Sequence, residues 1–327
     1  MIVITGGAGM IGSMIAWHIN SVLGRDDIVI ADRLTHAEQW QNLCHRRYAN
    51  YLDKDELLPW LESTTDKIDA VIHMGAISAT TERDFNKLVQ DNIRYSQKLW
   101  AWCAKQKVPF LYASSAATYG GGEQGYDDNE TKLTTLRPLN AYGYSKQFFD
   151  LWVLRQIREK QPAPPQWYGF KFFNVYGPNE YHKERMASVV FHSFNQFREL
   201  ATVKLFKSHV EGYADGMQLR DFVYVKDAAA VVAHFLRHPS KSGIYNIGTG
   251  QARAFKDLAN AVMNSMGSKP SISYIDMPQD LHGKYQYFTE ANIKKLRTAG
   301  YHQPFQTLEE GIRDYVQNYL MQPDPYC

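Results

Sequence analysis

Cysteine is scarce in this chain: Cys44, Cys103 and Cys327 are the only three among 327 residues. An odd, scattered set without metal-ligand spacing excludes a disulfide framework and a cysteine-bound metal, and reads as reduced thiols in a cytoplasmic enzyme. Cys327 is expected on a frayed tail. Long apolar runs are missing too. No window approaches the roughly 18–20 apolar residues that a membrane span requires. Thr5 and a glycine cluster arrive before the apolar stretch of a secretory signal could form. Charge of one sign is never massed: 36 Lys and Arg face 34 Asp and Glu, for a net charge of +2. That balance points to neither a nucleic acid nor a membrane as partner. No internal repeat or low-complexity tract occurs.

What is present is ordinary globular material, 44% hydrophobic and 21% charged, enough for one large core with a smaller lobe. Short apolar runs alternate with amphipathic stretches through the first half. Strands are expected at 2–4, 28–30, 70–73, 109–112 and 167–173, with helices over about 10–23, 86–105 and 142–160. Strands apolar on both faces and separated by helices predict an α/β fold, a Rossmann-type doubly wound parallel sheet. Past Gly177-Pro178 the alternation becomes irregular. The runs Asp221-Phe222-Val223-Tyr224-Val225 and Gly243-Ile244-Tyr245-Asn246-Ile247-Gly248 are expected to return to the main sheet. The expected division is 1–175 plus about 221–250 for a dinucleotide, and about 176–220 plus 251–327 for a smaller mixed α/β substrate lobe.

Thr5-Gly6-Gly7-Ala8-Gly9-Met10-Ile11-Gly12 follows a strand and opens a helix. Gly6, Gly9 and Gly12 fit GxxGxxG, and Gly7, Gly9 and Gly12 fit GxGxxG. Glycines permit the tight turn, the close approach of backbone N–H groups to a pyrophosphate, and the packing of helix on strand. The helix N-terminus adds partial positive charge. Asp32 ends the second strand, twenty residues beyond Gly12, where the acid for an adenosine ribose belongs. Arg33 follows it. A carboxylate favours the free 2′-hydroxyl of NAD and an arginine the 2′-phosphate of NADP, so both cofactors stay open.

Ser114-Ser115-Ala116-Ala117-Thr118-Tyr119-Gly120 lies at the carboxyl edge of a strand, where α/β sites form. Farther on, Tyr142-Gly143-Tyr144-Ser145-Lys146 puts Tyr142 and Lys146 one helical turn apart on one face. Oxidation at an alcohol carbon needs a base for the hydroxyl proton. A tyrosine with a pKa of about 10 needs help at neutral pH; a lysine ammonium stabilises its phenolate, and a serine hydroxyl holds the substrate oxygen. Taken with the glycine turn, these motifs resemble the extended short-chain dehydrogenase/reductase superfamily. That resemblance makes Ser115, Tyr142 and Lys146 the triad and has Asn92 support the cofactor side. Ala116-Ala117 stand where the superfamily's dehydratases carry an Asp-Glu pair, which disfavours elimination of water.

Over nearly the whole chain the sequence is similar to the ADP-L-glycero-D-manno-heptose 6-epimerase family. The resemblance rests on residues 110–121, Pro138-Leu139-Asn140-Ala141-Tyr142-Gly143-Tyr144-Ser145-Lys146, Phe173-Asn174-Val175-Tyr176-Gly177-Pro178, His182-Lys183 with Met186-Ala187-Ser188-Val189, and Gly283-Lys284-Tyr285-Gln286 before Phe288-Thr289. It implies inversion at C6″ of an ADP-heptose, a lipopolysaccharide precursor. Hydride leaves to a tightly held nicotinamide cofactor, NADP or NAD, and returns to the opposite face. Tyr142 matches the first acid/base group and Lys183 the second, although Lys183 also suits a diphosphate. The resemblance further implies cofactor contacts at Met10, Ile11, Gln39, Lys54, Met74, Gly75, Ala76, Ile77, Ser78 and Val175. Substrate contacts are implied at Ser115, Asn174, Lys183, Arg185, His192, Arg220 and Tyr285, with core packing the other reading of His192 and Tyr285. An arginine at 220 suits an ADP phosphate by bidentate bonding. Family members form homo-oligomers, with pentamers known, so a homo-oligomer is implied here. Glu38-Gln39 replace a family lysine, residues 208–216 form a longer segment, and Arg185 replaces a small residue. The other readings are a different nucleotide-sugar epimerase, such as a UDP-hexose 4-epimerase, and a non-catalytic dinucleotide sensor.

Overall fold

Seven strands with almost no exposed side chain in their interiors form the central sheet. They are β1 (Ile2–Thr5), β2 (Ile28–Asp32), β3 (Asn50–Asp53), β4 (Ala70–His73), β5 (Phe110–Ser115), β6 (Trp167–Phe172) and, far later in the chain, Gly243–Ile247. The computed structural model describes residues 1–34, 36, 38–278 and 286–327. The spatial order is Gly243–Ile247, β6, β5, β4, β1, β2, β3, and each pair is parallel. Ile2 pairs with Ile28 on one side and Ala70 on the other. The apolar runs are buried on both faces because helices cover both faces, as the doubly wound reading expects. Chain order reverses between β1 and β4, so a crevice opens at their carboxyl ends, the place where such sheets bind ligands.

The helices that position the site are α1 (Met10–Ser21), α2 (Leu57–Ser63), α3 (Phe85–Leu88), α4 (Tyr95–Gln106) and α5 (Ala141–Arg158). The helix expected over 86–105 is α3 and α4 joined through a wider π turn, Val89–Arg94. Such a turn inserts an extra residue and is common at functional sites. It carries Asn92.

One expected strand lies elsewhere. After β6 the chain leaves the sheet at Phe173 and makes β7 (Asn174–Tyr176), followed by α6 (Val189–Leu200), β8 (Val203–Phe206) and β9 (Leu219–Tyr224). The run at 221–225 therefore does not return to the main sheet. It forms β9, parallel to β7 and antiparallel to Ala252–Ala254, in a three-stranded sheet of its own, and Val225 already begins a helix. An apolar run reports burial and not which sheet provides it. The rest of the chain is α7 (Val225–Arg237), β10 (Gly243–Ile247, in the main sheet as expected), β11 (Ala252–Ala254), α8 (Phe255–Ser265), β12 (Ile272–Ile275), α9 (Lys294–Thr298) and α10 (Leu308–Tyr315). β8 and β12 pair over a separate small core of Val203, Leu205, Ala259 and Met263. Edge strand β3 has no apolar alternation and was invisible in the pattern; it is held by its pairing to β2.

Cys327 is not on a frayed tail. Its N–H donates to Asn179 Oδ1 at 3.0 Å and its sulfur accepts from the Tyr319 hydroxyl at 3.5 Å. Asn179 lies far away in sequence, so composition could not announce it. Among the described residues, no helix is long and apolar enough to cross a membrane.

Candidate active site

The turn after β1 has no room for a side chain at Gly6, Gly7 or Gly12. Gly6 adopts φ +64°, and a Cβ there would stand 2.5 Å from the Gly75 nitrogen; a Cβ on Gly12 would stand 2.1 Å from the Gly6 carbonyl oxygen. Gly9 begins α1 without a side-chain cap. The first N–H groups of α1 therefore lack intrahelical acceptors and suit a diphosphate. A turn that excludes a Cβ at Gly6 and Gly12, leading into an uncapped helix at the topological switch point, fits a dinucleotide. Met10 is buried under this turn and Ile11 half-buried beside it.

Asp32 holds the turn in place. Its carboxylate accepts from the N–H groups of Ala8 and Arg33, each at 2.8 Å. Burial raises its pKa, and these backbone bonds oppose the rise. With the Gly9 N–H as a third backbone donor, the carboxylate keeps about one of its four acceptor lobes, enough for a ribose hydroxyl. Arg33 points outward and pairs with Asp55 at 2.8 Å, both well exposed. Lys54 pairs with Asp91 and lies over the Tyr95 ring. Gln39 is buried at the start of the turn Gln39–Leu43.

Across the crevice, Met74, Gly75, Ala76, Ile77 and Ser78 follow β4. Asn92 clamps this segment: its Oδ1 accepts from the Ile77 N–H at 2.8 Å, and its Nδ2 donates to the Ile77 carbonyl and to Ser145 Oγ, both at 3.0 Å. Ser145 in turn donates to the Tyr142 carbonyl at 2.7 Å. Asn92 thus joins the end of β4 to the helix of the candidate base. Behind it runs a buried chain that the sequence reading passed over. Thr5 Oγ1 meets His73 Nδ1 at 2.6 Å, and His73 Nε2 meets Ser96 Oγ at 2.8 Å. Burial, with Lys146 and Lys54 nearby, pushes the His73 pKa down to about 3, so the ring is neutral.

Ser115 ends β5, and α5 brings Tyr142 and Lys146 against it, as their spacing requires. The Ser115 hydroxyl hydrogen-bonds the Tyr142 phenol, opposing the upward push that burial gives the phenol's pKa. Lys146 is buried, donates from Nζ to the Ala113 carbonyl at 2.8 Å, and has its pKa lowered to about 8 by desolvation, against a raising pull from Asp150. Asn140 caps α5 through Gly143 N–H. The arrangement offers one polarised phenol and one perturbed amine at a strand end, the signature of proton transfer.

Lys183 comes from a different kind of element. The short helical turn Tyr181–Met186 breaks at Glu184 (φ 47°, ψ −122°). Lys183 Nζ lies 3.9 Å from Met10 Sδ, which brings it to the entrance of α1. Burial lowers its pKa, while the carboxylate of Glu180 raises it. Glu180 is fully buried and accepts from Ser188 N–H at 2.5 Å and Ser188 Oγ at 2.7 Å, closing the base of the segment. The sequence reading did not single out Glu180.

The remaining expected residues are more dispersed. On β7, Val175 is half-buried and Asn174 exposed; Arg185 is exposed and His192 half-buried on α6. Arg220 is buried on β9, donates to the Leu219 carbonyl at 2.9 Å and to the Gln286 carbonyl, and lies over the Phe255 ring. Tyr285 falls outside the described residues.

Residues 2–248 match the NAD dependent epimerase/dehydratase family. An ADP-L-glycero-D-manno-heptose-6-epimerase of Fusobacterium nucleatum is 52% identical over 336 aligned residues, covering 100% of both chains. The crystal structure of the Helicobacter pylori ADP-L-glycero-D-manno-heptose-6-epimerase is similar at 27% identity with a TM-score of 0.80, covering 97% of this chain and 95% of that one. The Thermus thermophilus UDP-glucose 4-epimerase in complex with NAD shares the fold at 24% identity and a TM-score of 0.76, over 96% and 97% of the two chains.

Proposed function

The chain belongs to the NAD dependent epimerase/dehydratase family, and from that footing we propose that it inverts C6″ of ADP-glycero-manno-heptose by transient oxidation. The observation that carries this reading is a second, half-buried amine whose pKa is lowered by desolvation. Beside the Ser115, Tyr142 and Lys146 set stands Lys183, packed against the start of α1. An epimerisation by oxidation and return needs proton handling on both faces of one carbon, and two separate groups provide it. Full-length identity of 52% to a heptose epimerase supports the same substrate.

A bound nicotinamide dinucleotide supplies the hydride acceptor and donor. Gly6, Gly9 and Gly12 would admit its diphosphate, Asp32 would meet the adenosine ribose, and Asn92 holds the 74–78 segment that would line the nicotinamide end. Tyr142 takes the hydroxyl proton for one face with Ser115 holding the oxygen. Lys146 keeps the phenolate accessible by its positive charge. Lys183 serves the other face. Arg220 binds the ADP phosphates by exchanging its carbonyl partner for them, and Asn174, Arg185 and His192 contact the sugar. We assign NADP rather than NAD to the site. Arg33 is exposed next to Asp32, and its surface pair with Asp55 is worth only about 0–1 kcal/mol, so a 2′-phosphate can replace Asp55. The same reading divides the chain into a cofactor part, 1–175 with 221–250, and a substrate part, 176–220 with 251–327. It describes a cytoplasmic homo-oligomer in lipopolysaccharide precursor synthesis.

The test is to incubate the protein with ADP-D-glycero-D-manno-heptose and resolve the two C6″ epimers. Interconversion without added cofactor is expected. No interconversion, with a UDP-hexose epimerised instead, overturns the assignment in favour of a 4-epimerase. Denaturing the purified protein and identifying the released dinucleotide checks NADP against NAD.

A further inference from the structure

Lys171 lies one residue before the carboxyl end of β6, and Asp150 lies one turn beyond Lys146 on α5. Their side chains form an ion pair at 2.7 Å with 0% and 1% exposure. Ser114 donates to the same Asp150 Oδ2 at 2.7 Å, and the Tyr112 hydroxyl donates to Oδ1 at 3.1 Å. Lys171 also donates to Thr118 Oγ1 at 2.7 Å and lies over the Tyr119 ring. Thr118 in turn donates to the Ser115 carbonyl at 2.7 Å.

These bonds converge on the three residues at the end of β5. Lys146 holds the Ala113 carbonyl, Asp150 holds the Ser114 hydroxyl, and Lys171 holds Ser115 through Thr118. The network is closed: each ammonium proton direction of Lys171 meets a carboxylate, a hydroxyl or a ring face. A closed set with no exposed member cannot pass a proton to solvent, which argues against a relay. Stability does not call for it either. A buried pair costs several kcal/mol of desolvation per ion, and well-packed apolar residues of similar volume are often as stable. What the pair supplies is direction, because each charge accepts only one arrangement of its neighbours.

We propose that Asp150 and Lys171 are positioning residues that set Ser115 and Lys146 in register for hydroxyl chemistry at the end of β5. The proposal rests on the functional reading above and adds two residues to it. Asp150 also acts on Lys146 through its charge. The titratable groups that interact with Lys146 are Asp150 on its own helix and His73 on β4, the latter held neutral; Tyr142 stands one turn earlier on the same helix face. Protonated Lys146 favours the Tyr142 phenolate, so the rate falls as pH rises through the Lys146 pKa. Without Asp150 that pKa drops, and the fall begins at lower pH.

The experiment exchanges the pair for an apolar one, Asp150→Leu with Lys171→Met, in the full chain. The expected result is unchanged dinucleotide content and KM, with kcat reduced ~30-fold, as sub-ångström misplacement of reacting groups does. The alkaline limb of kcat moves down by about 0.5 pH unit or more. Lys171→Arg, which keeps charge and donors, restores most of kcat. Unchanged kcat and an unchanged alkaline limb overturn the proposal. If the exchanged pair does not fold, Thr118→Val decides. It leaves the ion pair whole and cuts the link to Ser115; a ~10-fold loss of kcat at unchanged KM supports the proposal, and full kcat overturns it. If the wild-type chain turns over no nucleotide sugar, the functional reading fails by itself. Positioning is then judged from crystals of Thr118→Val, where Ser115 moves by about 0.5 Å or more if the proposal holds and stays in place if it does not.

Discussion

Ser115, Tyr142 and Lys146 stand on β5 and α5, while Lys183 stands on the irregular segment 177–188, and the two regions are built in different ways. The first is held by sheet pairing, by Asn92 and by the buried Asp150–Lys171 pair. The second is held at a few points. Glu180 binds Ser188, Asn179 (φ 70°) donates to Ser13 Oγ at 3.0 Å, and the Tyr181 hydroxyl donates to the Pro325 carbonyl at 2.6 Å. The comparison teaches that one acid/base group is fixed by the framework and the other by a strap of long-range side-chain bonds. Under the proposed function, the fixed region serves the constant partner, the cofactor, and the strapped region serves the sugar that reorients between two hydride transfers.

The largest effect should come from the glycine turn at the start of α1, which backs the cofactor side of the fixed region. Gly12→Ala places a methyl group 2.1 Å from a carbonyl oxygen. We expect a stability loss of more than ~4 kcal/mol, a Tm drop of about 8 °C or more, and loss of copurified dinucleotide. Normal cofactor content would show that the turn is not a tight cradle.

Next come the two acid/base groups. Tyr142→Phe and Lys183→Ala should each lower kcat by roughly 10²–10⁴-fold with cofactor retained. If Lys183→Ala costs less than about fivefold, the two regions are not equivalent chemical partners, and Lys183 serves the diphosphate instead.

Acid should weaken the fixed region first. The His73 pKa is lowered from 6.5 to about 3, so between those values the folded state binds fewer protons than the unfolded state. Stability is full above pH 6.5 and falls with a slope of up to ~1.4 kcal/mol per pH unit down to about pH 3. In His73→Gln, urea titrations should show that part of the slope removed. An unaltered slope would mean that His73 is not buried as a neutral ring.

The smallest effect should come from the strap. Removing residues 324–327 deletes the Pro325 and Cys327 bonds and the exposed His45–Asp324 pair. We expect a two- to fivefold loss of kcat, about 0.4–1 kcal/mol, with cofactor content unchanged. A loss of cofactor instead would erase the distinction between the regions.

The fixed region was readable because its signals are local. The glycine turn, Asp32, Ser115 and the Tyr142–Lys146 spacing each follow from one strand or one helix, and β1, β2, β4, β5 and β6 come from apolar runs. The strapped region was less so, since Asn179 meets Ser13 and Cys327, and Tyr181 meets Pro325, only when distant segments come together. β9 misled because its burial is shared with β7 and β11 and not with the main sheet. Two signals were there to be used. A lysine inside the wholly buried strand Trp167–Phe172 demands a buried anion, and Asp150 stands four residues beyond Lys146 on the same helix face.

The most direct test of two-sided oxidation and return uses ADP-D-glycero-D-manno-heptose carrying deuterium at C6″. The account predicts that the L-glycero epimer forms with the deuterium still at C6″, while Lys183→Ala and Tyr142→Phe both block it. Deuterium washed out to water in the product, or heptose left unchanged by the wild-type protein, would contradict it.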